Sequence, residues 1–386
     1  MTILLFLVII SFIFRSGQQF SDLAQAFLHG HLNFLSPIGG LGQDPVLYHG
    51  RIYWDEGPFP AVLLMPFVGF FDIFHLPFYQ GSLQWILVLG VMYFVFRLAR
   101  LLDYSPEDSM VLALGFMLGS VFIGVATLSS SWFFAQVVTT FLLFWSLYEF
   151  YTHKRWWLIG VLCGLVLMTR ATAAPIGIFF VLELWQTHRI ARSKLVQFAQ
   201  LCLPVIGVAG LLGVYNFLRF HNPFNGGYAY QLLHPGSAES RSLGVFSLIH
   251  VPTNLYGALL RAPLPVLRDN TSWTLKFPYI QNNNYGMSVF ITSPYLLSLC
   301  MAKWSSFNSQ ARHLIIAIAA SALLVLSYYG VGQNQFGYRY SLDFLPEVFL
   351  LFMIMYRTNH RYLSRGMKLL LLASGLVDFY LLWSLL

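Results

Sequence analysis

The apolar run Pro60-Ala-Val-Leu-Leu-Met-Pro66-Phe-Val-Gly-Phe-Phe-Asp72-Ile-Phe-His75-Leu76 decides how the rest of the chain is arranged. Counting it as a membrane crossing reverses the side on which every later loop lies. It is short for a span, carries two prolines and an acid, and ends at Pro77, whereas a crossing helix takes about 20 apolar residues. Around it, apolar runs recur at 1–14, 82–100, 108–128, 132–151, 157–170, 173–187, 198–217, 287–301, 313–330, 342–356 and 369–386. Of the 386 residues, 57% are hydrophobic, 17% aromatic and only 10% charged, against about 25% charged in a soluble domain. This composition excludes disorder, collagen, coiled coil and a basic-patch nucleic-acid binder. The chain is expected to be a polytopic, all-α membrane protein.

The cations arbitrate the direction of the spans. If 60–76 does not cross, one face receives Arg97, Arg100, Lys154, Arg155, Arg189, Arg192, Lys194, Lys303, Arg312, Arg357, Arg361, Arg365 and Lys368, which are 13 of the 22 Lys and Arg residues. They fall in short loops, as the positive-inside rule requires of a cytoplasmic face. If 60–76 does cross, these loops alternate sides and the pattern disappears. The expectation is therefore about eleven transmembrane helices in a single integral membrane domain, 1–386, with the N-terminus inside and 60–76 re-entrant or juxtamembrane. The apolar N-terminus lacks a basic n-region and a small-residue cleavage site before Arg15, so it reads as a first span and not as a signal peptide. Two long loops, 15–81 and 218–286, then lie outside, with the turns at Ser129–Trp132, Arg170–Thr172 and Gln333–Ser341. The inner loops are too short to hold a site, and no phosphate-binding GxxxxGK loop occurs.

The first outer loop opens with Ser21-Asp22. A carboxylate this close to a membrane helix is costly unless it has water or a partner; it is either functional or a cap on the short helix that follows. Further on, Tyr48-His49-Gly50-Arg51-Ile-Tyr53-Trp54-Asp55-Glu56-Gly57-Pro58-Phe-Pro60-Ala61 interleaves aromatics, a cation and two acids. Rings stack on pyranose faces and charged groups bind hydroxyls or phosphate, although an interfacial aromatic belt has the same composition. Later come Tyr215-Asn216-Phe-Leu-Arg219-Phe220-His-Asn222-Pro223-Phe-Asn-Gly226-Gly227-Tyr228 and Gly337-Tyr338-Arg339-Tyr340-Ser-Leu-Asp343-Phe-Leu-Pro346.

In this order the passages resemble the membrane-integral GT-C glycosyltransferases, and are most similar to their protein O-mannosyltransferase and aminoarabinose-transferase branch. The resemblance covers essentially the whole chain in order and topology. It implies a GT-C-like fold, an integral protein of a prokaryotic inner membrane, and an active site in the outer loops on the extracytoplasmic face. It also implies transfer of a sugar from a polyprenyl-phosphate-linked donor to an acceptor hydroxyl, with inversion. Asp22 matches the family's catalytic position and is assigned as general base.

The donor phosphate stays attached to a lipid, so its partner belongs where a helix meets the outer interface. Arg339, Arg170 and Arg51 are the candidates in that order, since a guanidinium fork suits phosphate; each also reads as a snorkelling or rim arginine. Tyr48, His49, Tyr53, Asp55, Glu56, Asn216, Tyr228 and Tyr338 are the candidates for holding sugar or acceptor. The chain departs from the branch where Asp55-Glu56-Gly57-Pro58 replaces the usual Lys-Pro-Pro, and where Thr127-Leu-Ser129-Ser130-Ser131-Trp132 lacks an acid. Only one loop offers acids, so no metal or other cofactor is expected, although Asp55 and Glu56 leave a divalent ion open.

His29 and His31 are two apart and do not form a helical zinc pair. Cys163, Cys202 and Cys300 read as small apolar residues. Glu149, Glu183, Glu347 and Asp378 read as interfacial acids. Loop 218–286, with the sequon Asn270-Thr271-Ser272, is expected to fold as interfacial helices and turns contacting the acceptor or the lipid tail. A flippase for a lipid-linked glycan remains an alternative, as does a glycan ligase or polymerase of different fold. The first should show repeated halves or broken helices near the midplane, and neither is visible.

Overall fold

The computed structural model describes residues 17–36, 44–186, 191–269, 273–301 and 307–384. The expected first span 1–14, Arg189, Lys303 and the 270–272 sequon lie outside the described residues. In chain order the first half forms α1 (Gln19–Leu28), β1 (Val46–Tyr48), β2 (Arg51–Tyr53), α2 (Phe59–Asp72), α3 (Gln80–Leu101), α4 (Pro106–Leu118), α5 (Phe122–Thr127), α6 (Ser131–Tyr151), α7 (Trp156–Leu167) and α8 (Ile176–Gln186). It continues with α9 (Ala191–Phe220), α10 (Pro235–Ser242), α11 (Val251–Leu259), β3 (Leu264–Leu267), β4 (Leu275–Gln281), α12 (Val289–Thr292), α13 (Leu297–Cys300), α14 (Ser309–Ser327), α15 (Leu345–Asn359) and α16 (Arg365–Trp383).

Among the described residues five helices, α3, α6, α9, α14 and α16, are long and apolar enough to cross a membrane, and the protein is an integral membrane protein. They match the runs 82–100, 132–151, 198–217, 313–330 and 369–386. The run at 60–76 becomes α2, a helix of 14 residues that extends about 21 Å against about 30 Å of hydrocarbon. The run at 287–301 is not one helix. Ser288 caps α12 by accepting from Phe290 N at 3.1 Å, and Ser293, before Pro294, leaves the helical region because the proline ring crowds it there. The run at 108–128 is interrupted between α4 and α5, where the Ser120 hydroxyl donates to Phe116 O and accepts from Phe122 N.

Among the described residues the all-α expectation meets two additions, both antiparallel hairpins: β1 with β2 in the first long loop and β3 with β4 in the second. The chain divides into two compact units, Met1–Leu89 with Ala126–Val245, and Gly90–Val125 with Phe246–Leu386. In the first unit, Gly160 and Gly164 on α7 let α9 approach closely: a Cβ on Gly160 would overlap the carbonyl oxygen of Leu201, and one on Gly164 would lie 2.9 Å from Val208. This is the small-residue spacing by which apolar helices pack without a hydrophobic driving force. At the far end of α6, Glu149 takes a two-pronged pair from Arg155, Nε at 2.8 Å and Nη2 at 2.7 Å. In the second unit α4 packs on α16, and Lys368 bridges Glu107 and Asp108 at 2.6 and 2.8 Å. Asp378 of α16 is fully buried, and neither carboxylate oxygen has a hydrogen-bond partner among the described residues.

Candidate functional site

The first long loop is shaped by the β1–β2 hairpin. Val46 pairs with Tyr53 and Tyr48 with Arg51, and the two turn residues, His49 and Gly50, have φ of 49° and 75°. Two positive values in a two-residue loop are the turn that matches strand twist, and Gly50 takes its share without strain. Residues facing each other across the ladder share a face. That face meets the start of the second long loop: the Tyr48 ring lies 5.5 Å from Phe220 and 4.6 Å from Tyr230, and Tyr53 lies 5.3 Å from Phe220. Val46 bridges Gln231, and Leu232 N donates to Pro45 O at 2.8 Å.

Beyond β2 the chain turns inward. Trp54 is fully buried, its ring edge-on to Phe20 of α1 at 6.0 Å and 5.7 Å from Trp132 at the start of α6. Arg219, 3% exposed at the end of α9, donates from Nη1 to Trp54 O at 2.6 Å and from Nη2 to Asn216 Oδ1 at 2.7 Å. Its guanidinium stacks 3.9 Å from the Tyr215 ring centre. Asp55 Oδ2 accepts from Gln231 Nε2 at 2.9 Å, while its buried Oδ1 has no partner among the described residues. Burial, and then the negative charges of Glu56 and Asp44, push the Asp55 carboxyl well above the usual range, against the pull of Arg219.

Gly57 explains how Glu56 reaches its partner. A Cβ at Gly57 would overlap the carbonyl oxygen of Met168, and Phe59 N donates to that same oxygen at 3.3 Å. The loop thus lies against the end of α7, and Glu56 Oε1 stands 3.7 Å from Arg170 Nη1, both side chains nearly buried.

Asp22 lies in the first turn of α1, whose entry is clamped by residues far away in sequence. Gln80 Nε2 donates to Gly17 O and Ser129 O, Gln80 N donates to Gln18 Oε1, and Ser131 Oγ donates to Gly17 O. The α1 face bearing Phe20, Leu23 and Ala24 is buried, and Asp22 is on the open side. The protein around it still raises its carboxyl above the ordinary value through desolvation.

The expected site residues therefore fall into two groups. Tyr48, Tyr53, Asp55, Glu56, Arg170 and Asn216 are gathered in the first unit. Tyr228 joins them through its backbone, its carbonyl accepting from Arg241 Nη1 at 2.5 Å. His49 and Arg51 are at the hairpin tip, Arg51 exposed and His49 against Tyr48 at 4.2 Å. Arg339 and Tyr338 belong to the second unit. There Arg339 is buried with its guanidinium 4.6 Å from the Tyr340 ring, and the Tyr338 hydroxyl donates to Asn254 Oδ1 at 3.2 Å. Burial raises the Tyr338 hydroxyl's pKa.

Sequence reasoning missed Arg219, Gln231 and Arg241 as parts of this arrangement. The available signal was the Asn216–Arg219 spacing, which puts both on one helical face. Among the described residues no group of three or more His, Cys, Asp or Glu side chains is placed to hold a metal ion.

No protein-family model matches the chain, and no curated protein matches it. It is similar to a solved structure of the archaeal oligosaccharyltransferase AglB from Archaeoglobus fulgidus, in complex with an inhibitory peptide and a dolichol-phosphate, at 14% identity and a TM-score of 0.45. The match covers 99% of this chain and 55% of that one, so the chain spans little more than half the length of AglB.

Proposed function

We propose that the protein is a membrane glycosyltransferase that moves a sugar from a polyprenyl-phosphate carrier to an acceptor hydroxyl on the extracytoplasmic face. The observation that carries this reading is the convergence, within the first unit, of the first long loop, the start of the second and the turns at 129–132 and 170. They bring buried arginines, two carboxylates and a bank of aromatic rings to the base of the helix that bears Asp22. Asp22 removes the acceptor proton as the oxygen attacks the anomeric carbon from the side opposite the leaving group, which inverts that centre. Its raised carboxyl makes it a stronger base than a solvated aspartate.

Arg170 takes the charge that develops on the departing phosphate, exchanging its loose contact with Glu56 for the anion. Asp55, held by Gln231, accepts from a sugar hydroxyl, and Tyr48 offers its ring to the substrate; Tyr53, expected from the sequence to bind sugar, is instead buried against Val46 and Phe220 and supports the hairpin. No metal enters this scheme. The shortness of α2 and the clamping of Phe59 and Gln80 to neighbouring turns support a re-entrant α2, and we assign the chain to a single membrane domain of about eleven spans. The membrane we assign is a prokaryotic inner membrane.

The test is purified protein in lipid nanodiscs supplied with polyprenyl-phosphate hexoses or pentoses and a membrane extract as acceptor source, scored by release of free polyprenyl phosphate. Release by wild type and none by Asp22→Asn is expected. Equal turnover by the variant overturns the base assignment, and no release with any such donor overturns the reading.

A further inference from the structure

In the second unit, the second long loop exposes many of its apolar side chains. On α11 the buried residues are Asn254, Gly257 and Ala258, while Leu255, Tyr256 and the following Leu260, 71% exposed, face out. Asn254 is the inward anchor: its amide donates to the carbonyls of Leu326 and Tyr328 at 3.0 and 2.8 Å, at the C-terminal end of α14. A helix in water has the opposite polarity.

The β3–β4 hairpin also exposes large apolar side chains. Trp273 is 92% and Phe277 76% exposed, with Tyr279 also exposed, on a two-stranded ribbon that is marginal in water without a covered face. The ribbon is tied to the C-terminal end of α16, where the Tyr380 hydroxyl donates to Pro278 O and Asn282 N donates to Ser384 Oγ at 2.8 Å. Both pieces are thus fixed at the ends of helices long enough to cross a membrane, the depth at which exposed tryptophan and tyrosine are stable. Residues 246–281 carry Arg261, Arg268 and Lys276 against one acid, Asp269, a balance that favours anionic headgroups.

We propose that α11 and the β3–β4 hairpin are a lipid-binding rim. Their exposed apolar residues lie at the acyl–headgroup boundary of the leaflet at the C-terminal ends of α14 and α16, with the three cations among anionic headgroups. The covering partner is lipid, not a second protein. This inference is independent of the proposed chemistry.

The test places a bimane fluorophore at Leu260→Cys or Phe277→Cys, with Ser237→Cys on the polar, exposed α10 as control. The background carries Cys202→Ser and Cys300→Ser, and the full-length protein sits in nanodiscs of phosphatidylcholine and phosphatidylglycerol. A phosphatidylcholine carrying a nitroxide near the top of its acyl chain is expected to quench the two loop sites and not the control, and aqueous iodide the reverse. Arg268→Glu with Lys276→Glu is expected to lower nitroxide quenching at Phe277→Cys when phosphatidylglycerol is present and to leave it unchanged in phosphatidylcholine alone. Iodide quenching of the loop sites equal to that of the control overturns the proposal. So does shielding from both quenchers, which means that protein covers the rim, and a charge reversal without effect overturns the headgroup contact.

Discussion

Arg219 donates to the backbone carbonyl of Trp54 at 2.6 Å, and through that bond the end of α9 holds a fully buried point of the first long loop. The same guanidinium reaches Asn216 and stacks on Tyr215, so one buried cation fixes the relation between the two loops that carry the candidate site.

Arg219→Ala should therefore destabilise the first unit. It leaves the Trp54 carbonyl and the Asn216 side chain buried without their donor, and hydrogen bonds to charged groups contribute about 1.5–3 kcal/mol each. A loss of about 3 kcal/mol or more is expected, read as a lowered unfolding temperature in detergent. Arg219→Lys, which keeps the charge and loses the fork, should fall between. Wild-type stability of the alanine variant would contradict the anchoring role.

Gly57→Ala tests the close approach to α7. The new methyl cannot coexist with the Met168 carbonyl oxygen, so the backbone must move, at a penalty of about 1–3 kcal/mol. Because Glu56 is the preceding residue, the shift should also part it from Arg170. A lowered unfolding temperature together with slower sugar transfer is expected; unchanged turnover would detach the Glu56 position from function.

Sidedness follows from the clamps that flank α2, at Phe59 where it begins and at Gln80 where α3 begins. If α2 does not cross, His29 and His75 are on one side and Lys154 is on the other; if it crosses, His29 joins Lys154. All three side chains are exposed. Membrane-impermeant maleimide should label His29→Cys and His75→Cys from the same side of sealed vesicles, and Lys154→Cys from the opposite one. Labelling of His29→Cys and Lys154→Cys together would mean that α2 spans.

Much of this was readable in the chain because burial in lipid writes itself as long apolar runs. The five long helices sit where hydropathy put them, and the His49-Gly50 turn is a local steric matter. Hydropathy could not separate a span from a broken apolar segment, so 287–301 read as one crossing although Ser293-Pro294 divides it. Arg219 stood in a quoted passage without a role of its own, because its acceptor is a backbone carbonyl 165 positions away that no side-chain pattern encodes. The pairing of Glu56 with Arg170 was hidden for the same reason: it depends on Gly57 letting two backbones touch.

That pairing carries its own prediction. Glu56 is the second largest contributor to the raised Asp55 carboxyl and neutralises Arg170 across 3.7 Å. Glu56→Gln should release the arginine and tighten binding of polyprenyl phosphate, while Arg170→Ala should weaken it. About tenfold in each direction corresponds to about 1.4 kcal/mol, measurable by titration calorimetry in nanodiscs. A double variant binding as weakly as Arg170→Ala alone is expected if the glutamate acts through the arginine.

Asp22 separates a structural acid from a catalytic one. An aspartate kept only to complement the positive end of α1 would stabilise the helix, and Asp22→Asn would then lower the unfolding temperature. Desolvation raises its carboxyl instead, so its charged form is disfavoured in the folded state. The associated stability is fully present below the ordinary aspartate value of about 3.9 and is lost as pH rises through the folded-state value. At neutral pH, Asp22→Asn should consequently be at least as stable as wild type while losing turnover. In wild type the acid limb of the pH–rate profile should lie above the ordinary carboxylate range, because the base acts only when deprotonated. A destabilised Asp22→Asn with near-normal turnover at its remaining folded fraction would assign the residue to the helix end and not to the chemistry.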